Sequence, residues 1–177
     1  MTKKVLLVID MVKDFIDKDG ALSCGPAAQN IISYVVNEIK NFSSKNNAII
    51  FINDNHLPDD LEFTRFPPHC IMDSSGAKLI KEIEELKPNL CNTYDVLKNR
   101  YSGFFNTNLE AILREIRPDE VHIIGVCTNI CVLYTVEELC NRDYHVFIHE
   151  NGVASFDQEA HNWALKQMET VLGAKII

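Results

Sequence analysis

The chain has 177 residues, 46% of them hydrophobic and 24% charged, which is the composition of a globular protein and not of a disordered or collagenous one. Its length fits a single domain over residues 1–177 and excludes a multidomain assembly. With 17 Lys and Arg against 25 Asp and Glu, the net charge of −8 disfavours binding to nucleic acid or to an anionic membrane, because both require a cationic surface.

Strand patterns and helix patterns alternate along the chain. Short apolar runs rich in β-branched residues predict strands that are buried on both faces. In chain order, the predicted strands are Val5–Ile9, Ala48–Ile52, Thr93–Leu97, Val121–Val126, His145–Ile148 and Ala174–Ile177. The predicted helices are Ala27–Phe42, Gly76–Leu86, Leu109–Ile116, Ile130–Leu139 and Glu159–Leu172. This alternation predicts an α/β fold with three layers, αβα, around a six-stranded, mainly parallel sheet with helices on both faces.

The N-terminal segment and the cysteines indicate in which cellular compartment the protein is expected. Asp10 ends the first apolar run too early for a secretory signal, and no run approaches the roughly 20 apolar residues of a membrane span. Cysteines in a chain without a secretion signal are expected to be free thiols, and we therefore expect a cytoplasmic protein. The six cysteines are Cys24, Cys70, Cys91, Cys127, Cys131 and Cys140.

Three chemically capable side chains follow predicted strands. Ligands of open α/β sheets bind beyond the carboxyl ends of the strands, and Asp10, Lys98 and Cys131 all lie near such ends. Taken singly, they could be a helix cap, a solvated lysine and a small buried apolar residue. Cys131, however, lies near a helix N-terminus, where the dipole lowers a thiol pKa and can hold an oxyanion. Together the three predict a nucleophilic site.

A second candidate group lies in the long irregular stretch 54–75. Asp54 and His56 leave the second strand, and His69 follows a Pro-Pro pair. Two histidines and a carboxylate are common ligands of Zn²⁺, Mn²⁺ or Fe²⁺, so this stretch predicts a metal site. Spacing alone does not choose between three further acids that lie between the histidines, namely Asp59, Asp60 and Glu62.

Several common motifs of α/β enzymes do not occur in the sequence. No G-x-G-x-x-G follows a strand and no G-x-x-x-x-G-K-[ST] occurs, which disfavours dinucleotide and P-loop binding. No G-x-S-x-G occurs either, so the chain lacks the nucleophile turn of serine hydrolases.

Three segments in order resemble the isochorismatase-like cysteine hydrolases and, within them, the nicotinamidases. VLLVIDMVKDF, Val5–Phe15, is similar to the first strand of that family and its catalytic Asp. Residues 98–104 are similar to the K-x-x-Y-S-x-F segment. GVCTNICV, Gly125–Val132, is similar to the G-V-x-T-x-x-C-V nucleophile turn. The resemblance extends from Val5 to Ile177 and implies the fold of that family.

The resemblance implies a role for each residue of the nucleophilic site. Cys131 would be the nucleophile, Asp10 the general base, and Lys98 the cation that supports the thiolate. The backbone N–H groups of Cys127 and Cys131 would form the oxyanion hole. A cis peptide bond between Val126 and Cys127 is implied at the same turn.

The nicotinamidase branch implies one divalent metal, with Zn²⁺ favoured over Mn²⁺ and Fe²⁺. The segments around Asp54, His56 and His69 are similar to its metal loop, and Glu62 occupies the position of a glutamate found in one group of bacterial nicotinamidases. The metal would bind the pyridine nitrogen of the substrate. Three aromatic residues match positions that sandwich the ring, although they could equally be core residues: Phe15, Phe66 and Tyr101.

The predicted function is therefore hydrolysis of nicotinamide to nicotinic acid and ammonia through a cysteine thioester. Departures from the common metal-loop sequence at Asn53, Asn55 and Leu57 leave open another small carboxamide or ureido substrate. An alternative of another class is a non-catalytic small-molecule binding protein or a thiol redox protein that uses Cys127 and Cys131. The expected partners are a small-molecule amide and possible further copies of the chain, with neither nucleic acid nor membrane.

Overall fold

The computed structural model describes residues 2–177 and places six strands in one sheet. The strands are β1 (Lys4–Ile9), β2 (Ala48–Asp54), β3 (Thr93–Lys98), β4 (Glu120–Val126), β5 (Val146–Ala154) and β6 (Lys175–Ile176). Their order is β3-β2-β1-β4-β5-β6, and every neighbouring pair is parallel. The predicted fold class is confirmed, and the sheet is parallel throughout.

Within the described part of the chain, seven α-helices cover the two faces of this sheet. They are α1 (Lys13–Ile16), α2 (Gly25–Asn30), α3 (Ile32–Ser44), α4 (Lys81–Leu86), α5 (Leu109–Ile116), α6 (Leu133–Cys140) and α7 (Gln158–Thr170). Successive side chains of a strand point to opposite faces, so Leu6 and Val8 pack with residues of α1–α4, whereas Leu7 and Ile9 pack with α5–α7. Within residues 2–177, no helix combines the length and the apolarity that crossing a bilayer requires.

Two predicted helices differ in the structure. The segment predicted as a helix over Gly76–Leu86 becomes helical only at Lys81. Its first part bonds to the chain after β1 instead: the N–H of Ile80 donates to the carbonyl of Met11, and that of Lys13 to the carbonyl of Lys78. These backbone groups are therefore not available to a helix.

The segment predicted as one helix over Ala27–Phe42 is two helices, α2 and α3, which meet at Ile31. The N–H of Ile31 bonds to the carbonyl of Gln29 rather than to a carbonyl four residues back, which interrupts the helical ladder. Pro26 lies in the first turn of α2, where a missing N–H costs nothing.

Strand β5 is longer than the sequence predicts. It continues past Ile148 to Ala154, because Val153 and Ala154 pair with Gly125 and Val126 after a shift in register. The polar residues His149–Asn151 at this shift conceal the strand from an apolar pattern. Strand β2 likewise includes Asp54, and the stretch after it contains a 3₁₀ turn at Leu61–Thr64.

The strand order reverses between β1 and β4, and this point determines where a ligand can enter. Crossovers from β1 and from β4 leave to opposite sides, which opens a crevice at the carboxyl ends of the two strands. Gly125, near the end of β4, has a φ of +120°, and a Cβ there would lie 1.9 Å from the carbonyl oxygen of Ile9. A glycine therefore allows the two strands to approach closely beside Asp10.

Candidate active site

The register of the sheet brings the predicted acid and lysine together. Lys98 is the last residue of β3 and lies opposite Asp54, the last residue of β2. Ile9, the last residue of β1, lies opposite Ile52. Asp10 follows with a φ of 53°, and its N–H donates to the carbonyl of Ile52 at 2.8 Å. This left-handed turn directs the chain across the end of β2.

Asp10, Lys98 and Cys131 form a buried group at this edge. Nζ of Lys98 lies 2.8 Å from Oδ2 of Asp10 and donates to Sγ of Cys131 at 3.5 Å. It also pairs with Oδ1 of Asp54. The other oxygen of Asp10 accepts from the N–H of Asp54 at 2.8 Å. Although the two acids and the thiol lie within 4.8 Å of one another, the ammonium already supplies the cation of this group.

Burial and charge together set the protonation of the group. Burial and the neighbouring Asp54 carboxylate raise the pKa of Asp10 to about 6, against the opposing effect of Lys98. Burial lowers the pKa of Lys98, but the Asp10 and Asp54 carboxylates outweigh it and raise that pKa well above its usual range. Asp54 is buried as well, yet Lys98 and the two imidazoles hold its pKa below the usual range.

The thiol of Cys131 differs from the expectation based on its place near a helix. Burial raises the pKa of Cys131 well above its usual range, and the nearby Lys98 only partly opposes this effect. The expected lowering by a helix N-terminus is therefore wrong for the free protein. The residue lies inside a π-helical turn, Thr128–Val132, and the regular helix begins only at Leu133. A thiol in this state needs a proton acceptor, and Asp10 lies beside it.

The turn after β4 carries Cys131 into a cavity of about 250 Å³. The peptide bond between Val126 and Cys127 is cis, as the resemblance implies. The N–H groups of Ile130 and Val132 donate to the carbonyl of Cys127 at 3.0 and 3.2 Å, which holds the turn in shape. Cys127 and Cys131 both line the cavity.

The predicted metal group adjoins the same cavity, which Asp54 and His69 line. Oδ2 of Asp54 lies 3.5 Å from Nε2 of His56 and 3.8 Å from Nε2 of His69. His56 is fully buried, and its Nε2 has no hydrogen-bond partner. Two imidazole nitrogens and a carboxylate suit a borderline divalent cation such as Zn²⁺, so the residues present fit the metal that the sequence predicts.

Glu62 lines the same cavity but lies outside the tight group that Asp54, His56 and His69 form. Its side chain is buried, it lines the cavity, and its Oε2 has no hydrogen-bond partner. Burial and the charge of Asp54 raise the pKa of Glu62. Of the other two acids between the histidines, Asp59 is exposed.

Asp60 has a position that the sequence did not predict. Its Oδ2 lies 3.0 Å from Nδ1 of His56, and Arg100 donates to its Oδ1 at 2.8 Å. Nδ1 of His69 likewise lies 2.7 Å from the carbonyl of Pro67. A hydrogen bond at Nδ1 leaves Nε2 as the free nitrogen and fixes the orientation of the ring. The separation of four residues between His56 and Asp60 is too weak a signal to reveal this pair.

Asp14 is a second residue whose position sequence reasoning missed. One carboxylate oxygen accepts from the N–H of Cys70 at 2.7 Å, and the other accepts from the N–H of Ala21 at 3.2 Å. Gly76 packs against this carboxylate so closely that a Cβ would lie 2.0 Å from it. Asp14 therefore ties the residue after His69 to the loop that follows α1.

The three aromatic residues that the resemblance selects all line the cavity. The ring of Phe15 lies 5.4 Å from the ring of His69, and that of Phe66 lies 6.3 Å from it. Tyr101 lines the cavity too and stacks on Tyr134 at 5.7 Å. Other lining residues were not selected from the sequence: Leu22, Ser23, Cys24, Ile130 and Phe156.

Comparison with known proteins finds one family and close structural relatives. The model of the isochorismatase domain matches residues 4–177. An isochorismatase family protein of Bacillus subtilis, PncA, is 37% identical over 98% of this chain and 98% of its own. The crystal structure of nicotinamidase PncA from Bacillus subtilis superposes with a TM-score of 0.95 at 37% identity over 99% of both chains. A pyrazinamidase of Pyrococcus horikoshii in complex with zinc superposes with a TM-score of 0.89 at 29% identity, over 99% of this chain and 98% of its own.

Proposed function

The chain belongs to the isochorismatase family and is a hydrolase that acts on amides. We propose that its substrate is nicotinamide, which it converts to nicotinic acid and ammonia. The observation that carries the proposal is the convergence of two groups on one cavity. Cys131 lines the cavity, with Asp10 and Lys98 buried next to it, and Asp54 and His69 line the same cavity, with His56 buried next to them. A small aromatic amide offers one end to each group.

The first half of the reaction forms a thioester. Sγ of Cys131 attacks the carboxamide carbon while its proton passes to Asp10, because a buried thiol of raised pKa does not ionise unaided. Asp10 suits this exchange, since its pKa of about 6 lies near neutral pH. The N–H groups of Cys127 and Cys131 hold the oxyanion, each worth about 3–4 kcal/mol in related chemistry. Asp10 then passes the proton to the departing ammonia.

The second half releases the acid. Asp10 takes a proton from a water molecule, which attacks the thioester carbon, and the thiol of Cys131 leaves with that proton. Throughout both halves, Lys98 remains charged, because the carboxylates of Asp10 and Asp54 keep its pKa high. Its ammonium keeps Asp10 in place and stabilises the sulfur as negative charge develops.

The residues of the metal group and the aromatic side chains position the substrate. Asp54, His56, His69 and Glu62 would hold the divalent cation, and Zn²⁺ is the favoured ion because the donor set combines imidazole and carboxylate. Lewis acidity toward the pyridine nitrogen is the chemistry that a metal bound by these residues would supply. Three aromatic residues would enclose the ring and exclude water from it: Phe15, Phe66 and Tyr101.

The experiment that tests the proposal is release of ammonia from nicotinamide. We expect the wild-type protein to release it, and Cys131→Ala to reduce the rate to the background. Cys91→Ala is the matched control, because Cys91 is an exposed cysteine and should not affect turnover. If the folded, zinc-loaded protein releases no ammonia, nicotinamide is not the substrate, and other small carboxamide and ureido compounds become the candidates.

A further inference from the structure

Two cysteines that the proposed reaction does not use as nucleophiles meet in the wall of the cavity. Sγ of Cys24 lies 3.0 Å from Sγ of Cys127, and both side chains are buried, with 2% and 8% of their surface exposed. They are 103 positions apart in the sequence, so the fold alone brings them together. Both line the cavity together with Cys131.

Hydrogen bonds hold the backbone of each of the two cysteines in place. The N–H of Cys24 donates to the carbonyl of Phe15 at 2.8 Å. On the other side, the carbonyl of Cys127 accepts from two N–H groups of the turn. These hydrogen bonds hold the two main-chain segments from which the sulfur atoms project. A disulfide has a sulfur–sulfur distance of about 2.0 Å, so closure requires an approach of about 1 Å.

The resting state of the pair is a hydrogen-bonded dithiol. The contact with Cys24 and burial together raise the pKa of Cys127 well above its usual range. Because the thiolate is the form that reacts with oxidants, oxidation is slow at neutral pH and becomes faster as the pH rises. Once one sulfur is oxidised, however, the other lies in contact with it and can attack it before a thiol from solution does.

We propose that Cys24 and Cys127 form a redox-responsive thiol pair in the substrate cavity, which hydrogen peroxide closes to a disulfide. In the first step, one sulfur attacks an oxygen of the peroxide, the O–O bond breaks, and a sulfenic acid and one water form. In the second step, the other sulfur attacks the sulfenic sulfur, the S–O bond breaks, and a second water carries away the thiol proton. In total, two thiols lose two electrons and one peroxide becomes two waters.

Closure acts on the turn that carries the nucleophile. Cys127 begins this turn, and the N–H groups of Ile130 and Val132 bind its carbonyl, so a shift of Cys127 toward Cys24 displaces the turn that holds Cys131. This consequence rests on the proposed function, in which the N–H of Cys127 holds the oxyanion. A misplacement of about 1 Å can reduce turnover by about a hundredfold.

The partner of Cys127 distinguishes this pair from the one that the sequence suggests. A thiol redox role was expected to join Cys127 to Cys131, but the contact in the structure joins Cys127 to Cys24. Sγ of Cys131 instead accepts a hydrogen bond from Lys98. The two pairings give different linked peptides and can therefore be separated.

The first test is a disulfide map of the full chain over a time course of peroxide treatment, repeated from pH 7.5 to about pH 9.5 because the thiolate becomes more abundant as the pH rises. It uses Cys131→Ala, so that the nucleophile cannot take part and no enzymatic activity is needed. Mass spectrometry should find the peptide of Cys24 linked to that of Cys127, two hydrogen atoms lighter than the reduced pair and separated by dithiothreitol. If both cysteines remain free at every pH after the exposed Cys91 is fully oxidised and the treatment is continued for many times longer, the proposal is overturned.

The second test measures turnover before and after peroxide, with each variant compared to its own untreated activity. After peroxide, the turnover of wild type and of Cys91→Ser should fall at least tenfold and should recover with dithiothreitol. Cys24→Ser should keep the turnover that it had before treatment. If the serine variant does not fold, Cys24→Ala replaces it. An equal and reversible loss in the Cys24 variants would assign the effect to Cys131 and overturn the proposal. If untreated protein does not hydrolyse nicotinamide, the proposed function fails, while the disulfide map still decides the pair.

Discussion

Two buried polar clusters lie on the sheet, and they differ in whether their atoms have partners. The carboxyl-edge cluster consists of Asp10, Asn53, His56 and Glu62. Asn53, His56 and Glu62 each have a buried side-chain atom without a hydrogen-bond partner, whereas Oδ2 of Asp10 pairs with the ammonium of Lys98. The histidine cluster consists of Glu120, His122, His149 and Tyr34, and its side chains form a continuous chain of contacts.

The contacts of the histidine cluster are short and complete. Nδ1 of His122 lies 2.9 Å from Nε2 of His149, and Nε2 of His122 lies 3.0 Å from Oε2 of Glu120. The remaining nitrogen of His149 lies 2.9 Å from the hydroxyl of Tyr34. Every imidazole nitrogen of this cluster therefore has a partner, whereas the carboxyl-edge cluster leaves Nε2 of His56 free.

The difference separates polar groups that stabilise the fold from polar groups that are available to a ligand. A buried polar atom without a partner costs about 1–3 kcal/mol, so an edge that carries such atoms at Asn53, His56 and Glu62 is held at the expense of stability. Such atoms persist where a substrate, a proton or a metal completes them. His122 and His149 have no imidazole nitrogen without a partner, and they contribute to packing between β4, β5 and α3. Substitutions in the two clusters should therefore have opposite consequences.

The largest expected effect is on turnover, at Asp10. Asp10→Asn keeps the shape of the side chain but removes the proton acceptor, so kcat should fall by about 10²–10⁴-fold, the usual contribution of a general base. The change in the unfolding free energy should stay below about 1 kcal/mol, because a desolvated carboxylate is replaced by a neutral group while Lys98 keeps Asp54 as its partner. Steady-state kinetics and urea denaturation measure the two quantities. A large loss of stability with little loss of turnover would contradict the comparison.

The next effect concerns metal affinity and tests how His56 is oriented. Asp60→Ala removes the partner of Nδ1 of His56, so the dissociation constant for Zn²⁺ should rise about 10–100-fold. Competition with a chromophoric chelator measures this without reference to activity. Asp59→Ala is the matched control, since Asp59 is the exposed neighbour and should leave the affinity unchanged. Equal weakening in both variants would show that only the general negative charge of the loop matters.

A smaller effect, on stability alone, is expected in the histidine cluster. His149→Phe leaves Nδ1 of His122 and the hydroxyl of Tyr34 without partners, so the unfolding free energy should fall by about 1–3 kcal/mol. Turnover of the folded protein should remain as in wild type, because the cluster does not line the substrate cavity. His145→Phe replaces an exposed histidine four residues away and should change neither quantity. Loss of turnover in folded His149→Phe would break the separation between the clusters.

The smallest effect is the pH dependence of that stability. Burial, followed by the charges of His122 and Lys4, lowers the pKa of His149 to about 4 from its usual 6.5. Between these two values the unfolded chain binds a proton that the folded chain does not, so stability is complete above pH 6.5 and declines as the pH falls toward 4. Thermal melts of wild type and His149→Phe should therefore converge as the pH is lowered. A difference that is constant from pH 7 to 4 would contradict the assignment.

The motifs predicted most of the candidate site because its residues lie at fixed offsets from strand ends. Asp10 follows a five-residue apolar run, and Lys98 and Cys131 lie in segments with their own characteristic spacing. The carboxyl ends of parallel strands meet at one edge, so local spacing was sufficient to place these residues together. The histidines of the metal loop were found in the same way, from residue types and a Pro-Pro turn.

Residues that act through long-range contacts could not be predicted. Cys24 meets Cys127 across 103 positions, and Asp14 reaches Cys70 across 56. No periodicity or spacing in the chain indicates either pair. The pKa of Cys131 was misjudged for the same reason, because the burial that raises it depends on what the fold packs around the sulfur.

Local hydrophobic patterns and short motifs were enough to predict the alternation of strands and helices, the family, and the identity of the residues at the strand ends. The strand order, the partners of each buried polar atom and the raised pKa of the Cys131 thiol became known only from the tertiary structure. Those properties depend on distances between segments that are remote in the chain, and on the loss of water around them, which no local pattern records. The free Nε2 of His56 and the paired nitrogens of His149 differ for that reason alone.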